Sequence, residues 1–203
     1  MRIHTVRYGS TWRQWKASPR LPAPIRTPRE RWVQEGLRAL ASGGPDVVRI
    51  ESLAKALGVT KGGFYWHFRD RQALLDAMLD TWEETLVDQA IQMADLGGGS
   101  GRTRLRRLFR AAGERPGHLG LELSVRDWAR RDPAVAERLT RVDDRRLSYL
   151  RPLFAEFCDD SIDVEGRCLL VLTLWVGESL VVATHGRRTR PAVTAAAVRH
   201  LLR

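Results

Sequence analysis

Apolar residues recur along most of the chain with the spacing of α-helices. The clearest case is the stretch 50–57, where the i, i+3, i+4, i+7 pattern gives one apolar helix face: Ile50, Leu53, Ala54 and Leu57. No stretch sustains the alternation of apolar and polar residues that is typical of a strand, and no internal repeat is visible. The sequence therefore predicts an all-α protein.

Caps and helix breakers predict where the helices begin and end. Thr27 followed by Pro28 is a favourable helix start, and the glycines before Pro45 are a favourable end. Asp132 before Pro133 predicts the start of another helix in the same way. The other predicted helices have the approximate ranges 71–96, 104–109, 118–130, 133–158, 163–184 and 191–202, with a flexible break at 97–101 and a loop at 115–117.

The stretch from Arg49 to Phe68 divides into two short helices around a turn. Gly58 supplies the permissive backbone that ends the first helix, and Thr60 is a good N-cap for the second. Phe64 and Phe68 stand four residues apart and are predicted to face the core. This is the arrangement of a helix-turn-helix, whose second helix enters the major groove of DNA by its N-terminal end.

The second helix of this motif carries side chains suited to DNA. Lys61 lies in its first turn, where a cation can reach a phosphate or a guanine edge. The two glycines that follow are poor helix formers, and they make sense if the backbone must approach a partner closely. Tyr65 and His67 offer hydrogen bonds to phosphates, and Trp66 offers an apolar face with one donor. The alternative is a helical hairpin in an ordinary core, which has no use for these glycines and outward aromatic rings.

The run LGVTKGGFYWHF, from Leu57 to Phe68, and the residues that follow it to Leu75 resemble the DNA-binding domain of the TetR family of bacterial transcriptional regulators. The resemblance implies a three-helix DNA-binding domain, a long connecting helix and a C-terminal helical domain for ligand binding and dimerisation. The residues expected to contact DNA are Arg49, Thr60, Lys61, Gly62, Gly63, Tyr65, Trp66, His67 and Arg71.

The resemblance also sets the expected layout and partners. The divisions are a basic N-terminal arm (1–25), the DNA-binding domain (26–86, motif 49–68) and the ligand-binding and dimerisation domain (87–203). The last two helices, about 163–184 and 191–202, are expected to build a homodimer as a four-helix bundle. The expected partners are therefore a double-stranded DNA operator, a second copy of the chain and an unknown small-molecule effector.

Eight residues of the C-terminal half and the connecting helix are candidates for the effector pocket, and ordinary core packing is the alternative for each. Glu178 is the most informative, because a carboxylate inside an apolar helix is costly unless it is paired. Arg126, His118 or His185 is a candidate partner for it, and so is a cationic or hydroxylated ligand. The candidates are Trp82, Phe109, His118, Trp128, Tyr149, Phe154, Trp175 and Glu178.

The charge balance favours a polyanionic partner, because 34 Lys and Arg against 24 Asp and Glu give a formal net charge of +10. Residues 1–27 contain no acid at all. We interpret them as a flexible basic arm that tracks phosphates or lies in a minor groove. The alternatives are a disordered tail without a role in binding and an over-extended start of translation.

Neither an enzyme nor a metal site or cofactor is indicated, because nucleophile, phosphate-loop and metal-ligand motifs are missing and the five histidines are scattered. Cys158 and Cys168 predict two buried free thiols in a reducing cytoplasm, with a redox pair as the alternative. The longest apolar run, from Cys168 to Val176, is too short to span a bilayer. A cytoplasmic, nucleoid-associated protein is expected.

The predicted function is that of a homodimeric transcriptional regulator, most often a repressor in this family, which a small-molecule ligand releases from a palindromic operator. The alternative is a DNA-binding structural or division-type factor on the same fold that senses no ligand. One departure from the family pattern is Glu51, which falls where a cation or polar residue often faces DNA. The second helix of the domain is therefore expected to contact DNA less than usual.

Overall fold

The computed structural model describes residues 27–203 except 114, 115 and 179. All regular elements in this part are helical, so the predicted all-α fold is confirmed, and none of its helices has the length and apolar character that crossing a membrane requires. The predicted arm lies outside the described residues. The α-helices are α1 (Arg29–Gly43), α2 (Ile50–Leu57), α3 (Arg71–Asp95), α4 (Gly101–Gly113), α5 (Pro116–Ala129), α6 (Pro133–Ala155), α7 (Ser161–Gly177) and α8 (Arg190–Leu201), with 3-10 helices at Pro45–Val47 and Lys61–Trp66.

Helix α1 lies behind the helix-turn-helix, as predicted. Its buried face includes Trp32 and Leu40, both 0% exposed. Gly44 ends the helix at a φ of 77°, in the region that favours glycine, and its N–H donates to the carbonyl oxygen of Leu40. The predicted cap by Thr27 is wrong, because the helix begins at Arg29 and no side chain caps its N-terminus.

Helix α3 connects the motif to the C-terminal helices over 25 residues, close to the predicted range. The carboxylate of Asp70 caps it by accepting a hydrogen bond from the backbone N–H of Ala73 (2.8 Å). At 1.5 Å per residue the helix is about 37 Å long. Its buried residues near the motif include Leu74, Met78 and Trp82, so one helix takes part in packing both beside the DNA-binding motif and beside the C-terminal helices.

Helices α4 and α5 are longer than predicted at their facing ends. Helix α4 extends from Gly101 to Gly113 instead of over 104–109. Helix α5 begins at Pro116, inside the predicted loop, because proline is favourable at the first position of a helix. The connection between the two helices is therefore shorter than predicted.

Helix α6 begins as predicted and ends early. The carboxylate of Asp132 accepts hydrogen bonds from two backbone N–H groups of the first turn, at 3.0 and 3.4 Å. The helix ends at Ala155 and not at Cys158. Beyond that end the carboxylate of Glu156 accepts a hydrogen bond from the guanidinium of Arg104 on α4 (2.6 Å), which ties the two helices together.

Helix α7 also ends early, at Gly177 and not at Thr184. The guanidinium of Arg190 donates to the carbonyl oxygen of Glu178 (2.6 Å) and to that of Val181. These hydrogen bonds satisfy carbonyl groups that a longer helix would have paired internally. The chain between α7 and α8 is not helical in its described residues.

Two apolar cores hold the described part of the chain together. The first joins the DNA-binding helices and α3 to α5 and α6, and α1 packs directly on α5. The second lies among α4, α6, α7 and the end of α8, with Leu105, Phe154, Cys168 and Leu202 inside it. The first core contains residues on both sides of residue 86, the predicted end of the DNA-binding domain. The DNA-binding helices therefore share their interior with the C-terminal part.

Helix α7 does not bury both of its faces within one chain. Val164 and Val171 lie in the second core, whereas Ile162, Leu169 and Leu170 are 76%, 64% and 54% exposed. One face of α7 therefore lies in the second core, and the other is exposed in a single chain.

Candidate nucleic-acid interface

The turn of the motif folds around Gly58. This residue has a φ of 68° and a ψ of 29°, a left-handed conformation that glycine adopts without steric cost. The N–H of Val59 then donates to the carbonyl oxygen of Ala54 (3.0 Å) and closes the end of α2. Thr60 is extended and precedes the next helix as predicted, but its side chain makes no capping hydrogen bond.

The second helix of the motif, Lys61–Trp66, is a 3-10 helix, which is tighter than the α-helix that such motifs usually present. Two of its first three residues are glycines, which are poor α-helix formers. Phe64 fixes the helix to the core, since it is 0% exposed, and it stacks on Phe68 with ring centroids 5.2 Å apart. Both phenylalanines face the core, as predicted.

The opposite side of the second motif helix is exposed. Tyr65 is 53% and Trp66 70% exposed. A Cβ atom built on Gly62 or Gly63 would meet no atom closer than 3.8 Å, and neither glycine has a positive φ. The fold of the described residues therefore does not require glycine at either position. A role for their small size would lie in contact with a partner.

Lys61 and Glu51 form an ion pair across the turn. The ammonium of Lys61 donates to the Glu51 carboxylate, and the two side chains are 50% and 67% exposed. The hydrogen bond from Lys61 lowers the pKa of Glu51, and the same bond raises the pKa of Lys61. Both groups are therefore charged at neutral pH.

Two of the predicted DNA contacts, His67 and Arg71, already have hydrogen-bond partners within the protein. His67 Nε2 donates to the carbonyl oxygen of Thr27 (2.9 Å). Arg71 Nε donates to the carbonyl oxygen of Val48 (2.7 Å), and its Nη2 donates to that of Pro45. These bonds hold the segments before α1 and α2 against the motif, so His67 and Arg71 have a structural task that the sequence did not suggest.

Arg49 is exposed at the start of α2, where its Nε donates to the carbonyl oxygen of Asp46 (3.3 Å). The exposed members of the predicted set lie at the start of α2 and on the second motif helix with its N-cap residue. They are Arg49, Thr60, Lys61, Gly62, Tyr65 and Trp66.

The predicted effector residues have different surroundings. Trp82 and Trp128 belong to the first core, and Phe154 to the second with Phe109 against it. Tyr149 donates to Asp95 (2.7 Å), and burial raises the pKa of its hydroxyl well above the ordinary value. The side chain of His118 lies outside the described residues.

Glu178 pairs with a residue that was not among the predicted partners. Its carboxylate accepts a hydrogen bond from the hydroxyl of Thr194 on α8 (2.7 Å), and Arg126 binds other carboxylates. Since α7 has already ended, Glu178 does not lie inside an apolar helix, and its burial cost is smaller than the sequence suggested.

A cluster of four charged residues between α5 and α6 was missed. Glu122 is 0% exposed, and its carboxylate accepts from Arg126 (2.8 Å) and from Arg146 (2.9 Å twice). Asp143 accepts from both arginines as well. The guanidinium of Arg146 also lies 4.4 Å from the ring centroid of Trp175. We call these four charged residues the charge quartet; the spacing of each acid to its arginine, four and three residues, was the available signal.

The pKa values of both thiols are raised. Both cysteines are free, and burial raises the pKa of Cys168 to about 11. Burial also raises the pKa of Cys158. Cys168 is buried, as predicted, whereas Cys158 is only half-buried.

Comparison with known proteins identifies the motif. Residues 33–78 match the model of a family described as "Bacterial regulatory proteins, tetR family". A search among curated proteins gives no match.

Solved structures share the fold over most of the chain. A protein from Rhodococcus sp. described as a TetR-family transcriptional regulator is 26% identical, with a TM-score of 0.58, over 86% of this chain and 94% of its own. A transcriptional regulator from Saccharomonospora viridis, solved in complex with choline, is 18% identical with a TM-score of 0.72 over 86% and 94%. GusR from Salmonella enterica is 20% identical with a TM-score of 0.63 over 90% and 98%.

Proposed function

We propose that the chain, whose residues 33–78 match the model of the TetR family of bacterial regulatory proteins, is a homodimeric repressor that a small-molecule effector releases from a palindromic operator. The observation that carries the proposal is the exposed side of the second motif helix. There a cation, a hydroxyl, an indole and one glycine that the fold does not require, Gly62, are exposed.

This surface has the chemistry of a DNA contact. Lys61 can reach a phosphate or a guanine edge in the major groove, and Tyr65 can donate to a phosphate. Gly62 lets the backbone approach within the distance that a side chain would prevent. The 34 Lys and Arg of the chain against 24 Asp and Glu add the long-range attraction to a polyanion.

The exposed apolar residues of α7 support a dimer. Leu169 and Leu170 are 64% and 54% exposed, and Val182 in the following segment is 95% exposed. Large apolar side chains that are exposed together mark a protein interface, and Leu169 and Leu170 are neighbours on α7. A second copy related by a two-fold axis would cover the same patch on both chains and would present two motifs to a palindromic site.

The effector proposal rests on Trp82. This side chain is 1% exposed, and its Nε1 has no hydrogen-bond partner among the described residues. A buried donor without a partner is costly, and an acceptor atom of a ligand would relieve that cost. Since Trp82 lies on α3, which also carries the motif, a ligand there would shift the equilibrium between two arrangements of the DNA-binding helices.

The test is a selection of genomic fragments by the purified protein at near-physiological salt, followed by sequencing. We expect recovery of one or a few palindromic sites. Unspecific retention that falls steeply with salt would contradict the proposal and would favour a structural DNA-binding protein. A ligand that releases the selected site, and fails to do so in Trp82→Phe, would support the effector site.

A further inference from the structure

The exposed surface of the motif carries one acid, and it lies between two cations. Glu51 is in the first turn of α2, where the helix dipole favours a negative charge. It is bound to Lys61, and Arg49 also lowers the pKa of its carboxyl, less than Lys61 does. Glu51 therefore remains ionised on the surface that would face DNA.

This carboxylate has two consequences for a contact with DNA. It takes one of the three N–H donors of the Lys61 ammonium and offsets its positive charge, so Lys61 is attracted less to a phosphate while it is paired with Glu51. It is also repelled by the phosphates themselves. An exposed ion pair of this kind contributes little free energy and is easily broken. Both consequences therefore depend on the hydrogen-bonding groups that the DNA presents.

Unspecific and specific DNA sites differ in the groups that they present to the protein. Unspecific binding rests almost entirely on contacts between cations and phosphates. A specific site in the major groove also presents donors on base edges, and the N4 amino group of cytosine is the donor that Glu and Asp accept from. A carboxylate at the interface is therefore costly on most DNA and is accommodated where a cytosine lies opposite.

We propose that Glu51 is a specificity-determining residue: it withholds Lys61 from the phosphates of unspecific DNA, and its carboxylate is accommodated where the operator presents a cytosine amino group. This inference rests on the proposed function as a DNA-binding regulator. It assigns to Glu51 a role opposite to that of a simple contact, since the residue lowers affinity for most sequences.

The first experiment compares Glu51→Gln with the unaltered protein on a random-sequence duplex, by fluorescence anisotropy between 50 and 200 mM salt. We expect the variant to bind about threefold to eightfold more tightly at 0.1 M salt, with a log–log slope steeper by about 0.9 for each Lys61 released to a phosphate. An unchanged slope would overturn the proposal, because Lys61 would then already be on a phosphate.

Glu84→Gln is the matched control, because it removes the same charge from an exposed residue of α3. Glu84 lies about 20 Å along α3 from its first residue, beyond the screening length of about 8 Å at physiological salt. Binding by this variant should equal that of the unaltered protein. An equal gain in both variants would reduce the effect to net charge and would overturn the role of Glu51.

The second experiment repeats the selection from random duplexes with the unaltered protein and with Glu51→Gln. We expect the preference for cytosine at one base pair of each half-site to be lost, or to change to adenine, which glutamine binds. An unchanged site would overturn the role in base selection. If the unaltered protein selects no site at all, the proposed function fails, while the salt slopes still decide whether Glu51 withholds Lys61.

Discussion

The indole of Trp32 on α1 packs edge to face on the ring of Phe64 in the second motif helix, with centroids 5.4 Å apart and planes at 75°. Both side chains are 0% exposed. Tyr65, the next residue in the chain, is 53% exposed on the opposite side. One step along the helix therefore separates a residue that holds the motif on the protein from a residue that faces outward.

The first expectation concerns these two neighbours. Phe64→Ala should lower the free energy of unfolding by about 3–5 kcal/mol, because it removes a large buried ring and leaves a cavity. Tyr65→Ala combined with Lys61→Ala should change it by less than about 1 kcal/mol and abolish operator binding. Urea unfolding and an operator-binding assay on both proteins measure the two effects.

Loss of operator binding supports the assignment only if the Tyr65→Ala, Lys61→Ala double variant keeps the oligomeric state of the unaltered protein. Size-exclusion chromatography measures that state. Operator binding that persists in the folded double variant would remove the DNA-contact assignment. A Phe64→Ala protein as stable as the unaltered one would show that the motif does not rest on Trp32.

The second expectation concerns Gly62. Because a Cβ there has space and the φ is not positive, Gly62→Ala should stabilise the fold by about 0.4–1 kcal/mol through the unfolded chain. Operator affinity should nevertheless fall at least tenfold, since the methyl group keeps the backbone from its partner. An Ala variant that binds as well as the unaltered protein would mean that this glycine has no role in DNA contact.

The helix-turn-helix could be predicted from the sequence because its signals are local. The turn at Gly58 and the inward rings of Phe64 and Phe68 all depend on residues within one or two turns. The partners of His67 and Arg71 could not be predicted, because Thr27, Pro45 and Val48 lie 23 to 40 residues away in the chain. A side chain that looks available to DNA in the sequence can thus be taken by a distant carbonyl group.

The third expectation separates two roles of Arg71: the hydrogen bonds that hold the segment before α2, and the predicted contact with DNA. Arg71→Ala should lower the free energy of unfolding by about 1.5–3 kcal/mol, because hydrogen bonds from a charged donor to two carbonyl groups are lost. Arg69→Ala is the control, since Arg69 is 81% exposed and pairs with its neighbour Asp70. Its stability should change by about 0.5 kcal/mol or less. Loss of operator binding in Arg71→Ala without loss of stability would instead make Arg71 a direct contact.

The fourth expectation concerns the charge quartet. Arg146→Met should cost about 3–5 kcal/mol, because it leaves the fully buried Glu122 with fewer donors. Replacing Glu122 by Met as well should recover part of that loss, since the buried carboxylate is then gone. Arg151→Met is the control, because the Arg151–Glu165 pair is 43% and 50% exposed and should be worth less than about 1 kcal/mol.

The quartet also shows where sequence analysis stops. The spacing of Glu122 to Arg126 and of Asp143 to Arg146 is that of ordinary surface pairs on a helix. What makes them a buried cluster is that α5 and α6 turn these faces toward each other, which depends on packing far from either pair. If the Glu122→Met, Arg146→Met double variant proved less stable than Arg146→Met alone, the uncompensated carboxylate of Glu122 would not be the cause of the lost stability.

The fifth expectation tests the exposed face of α7. Leu169→Glu should convert the proposed dimer to a folded monomer, because a charge inside an apolar interface loses its hydration without gaining a partner. Leu96→Glu is a close control, since Leu96 is 63% and Leu169 64% exposed, and Leu96 lies at the end of α3 and not on α7. Sedimentation measures the state of both variants, and circular dichroism verifies their folding.

Operator binding by these two variants extends the argument. A monomer has one motif and reaches one half-site, so Leu169→Glu should lose most of its affinity for the palindrome while its affinity for unspecific DNA falls much less. Leu96→Glu should keep both. A Leu169→Glu protein that stays dimeric would move the interface away from this face of α7, and a monomer that keeps full operator affinity would show that the two motifs do not bind as a pair.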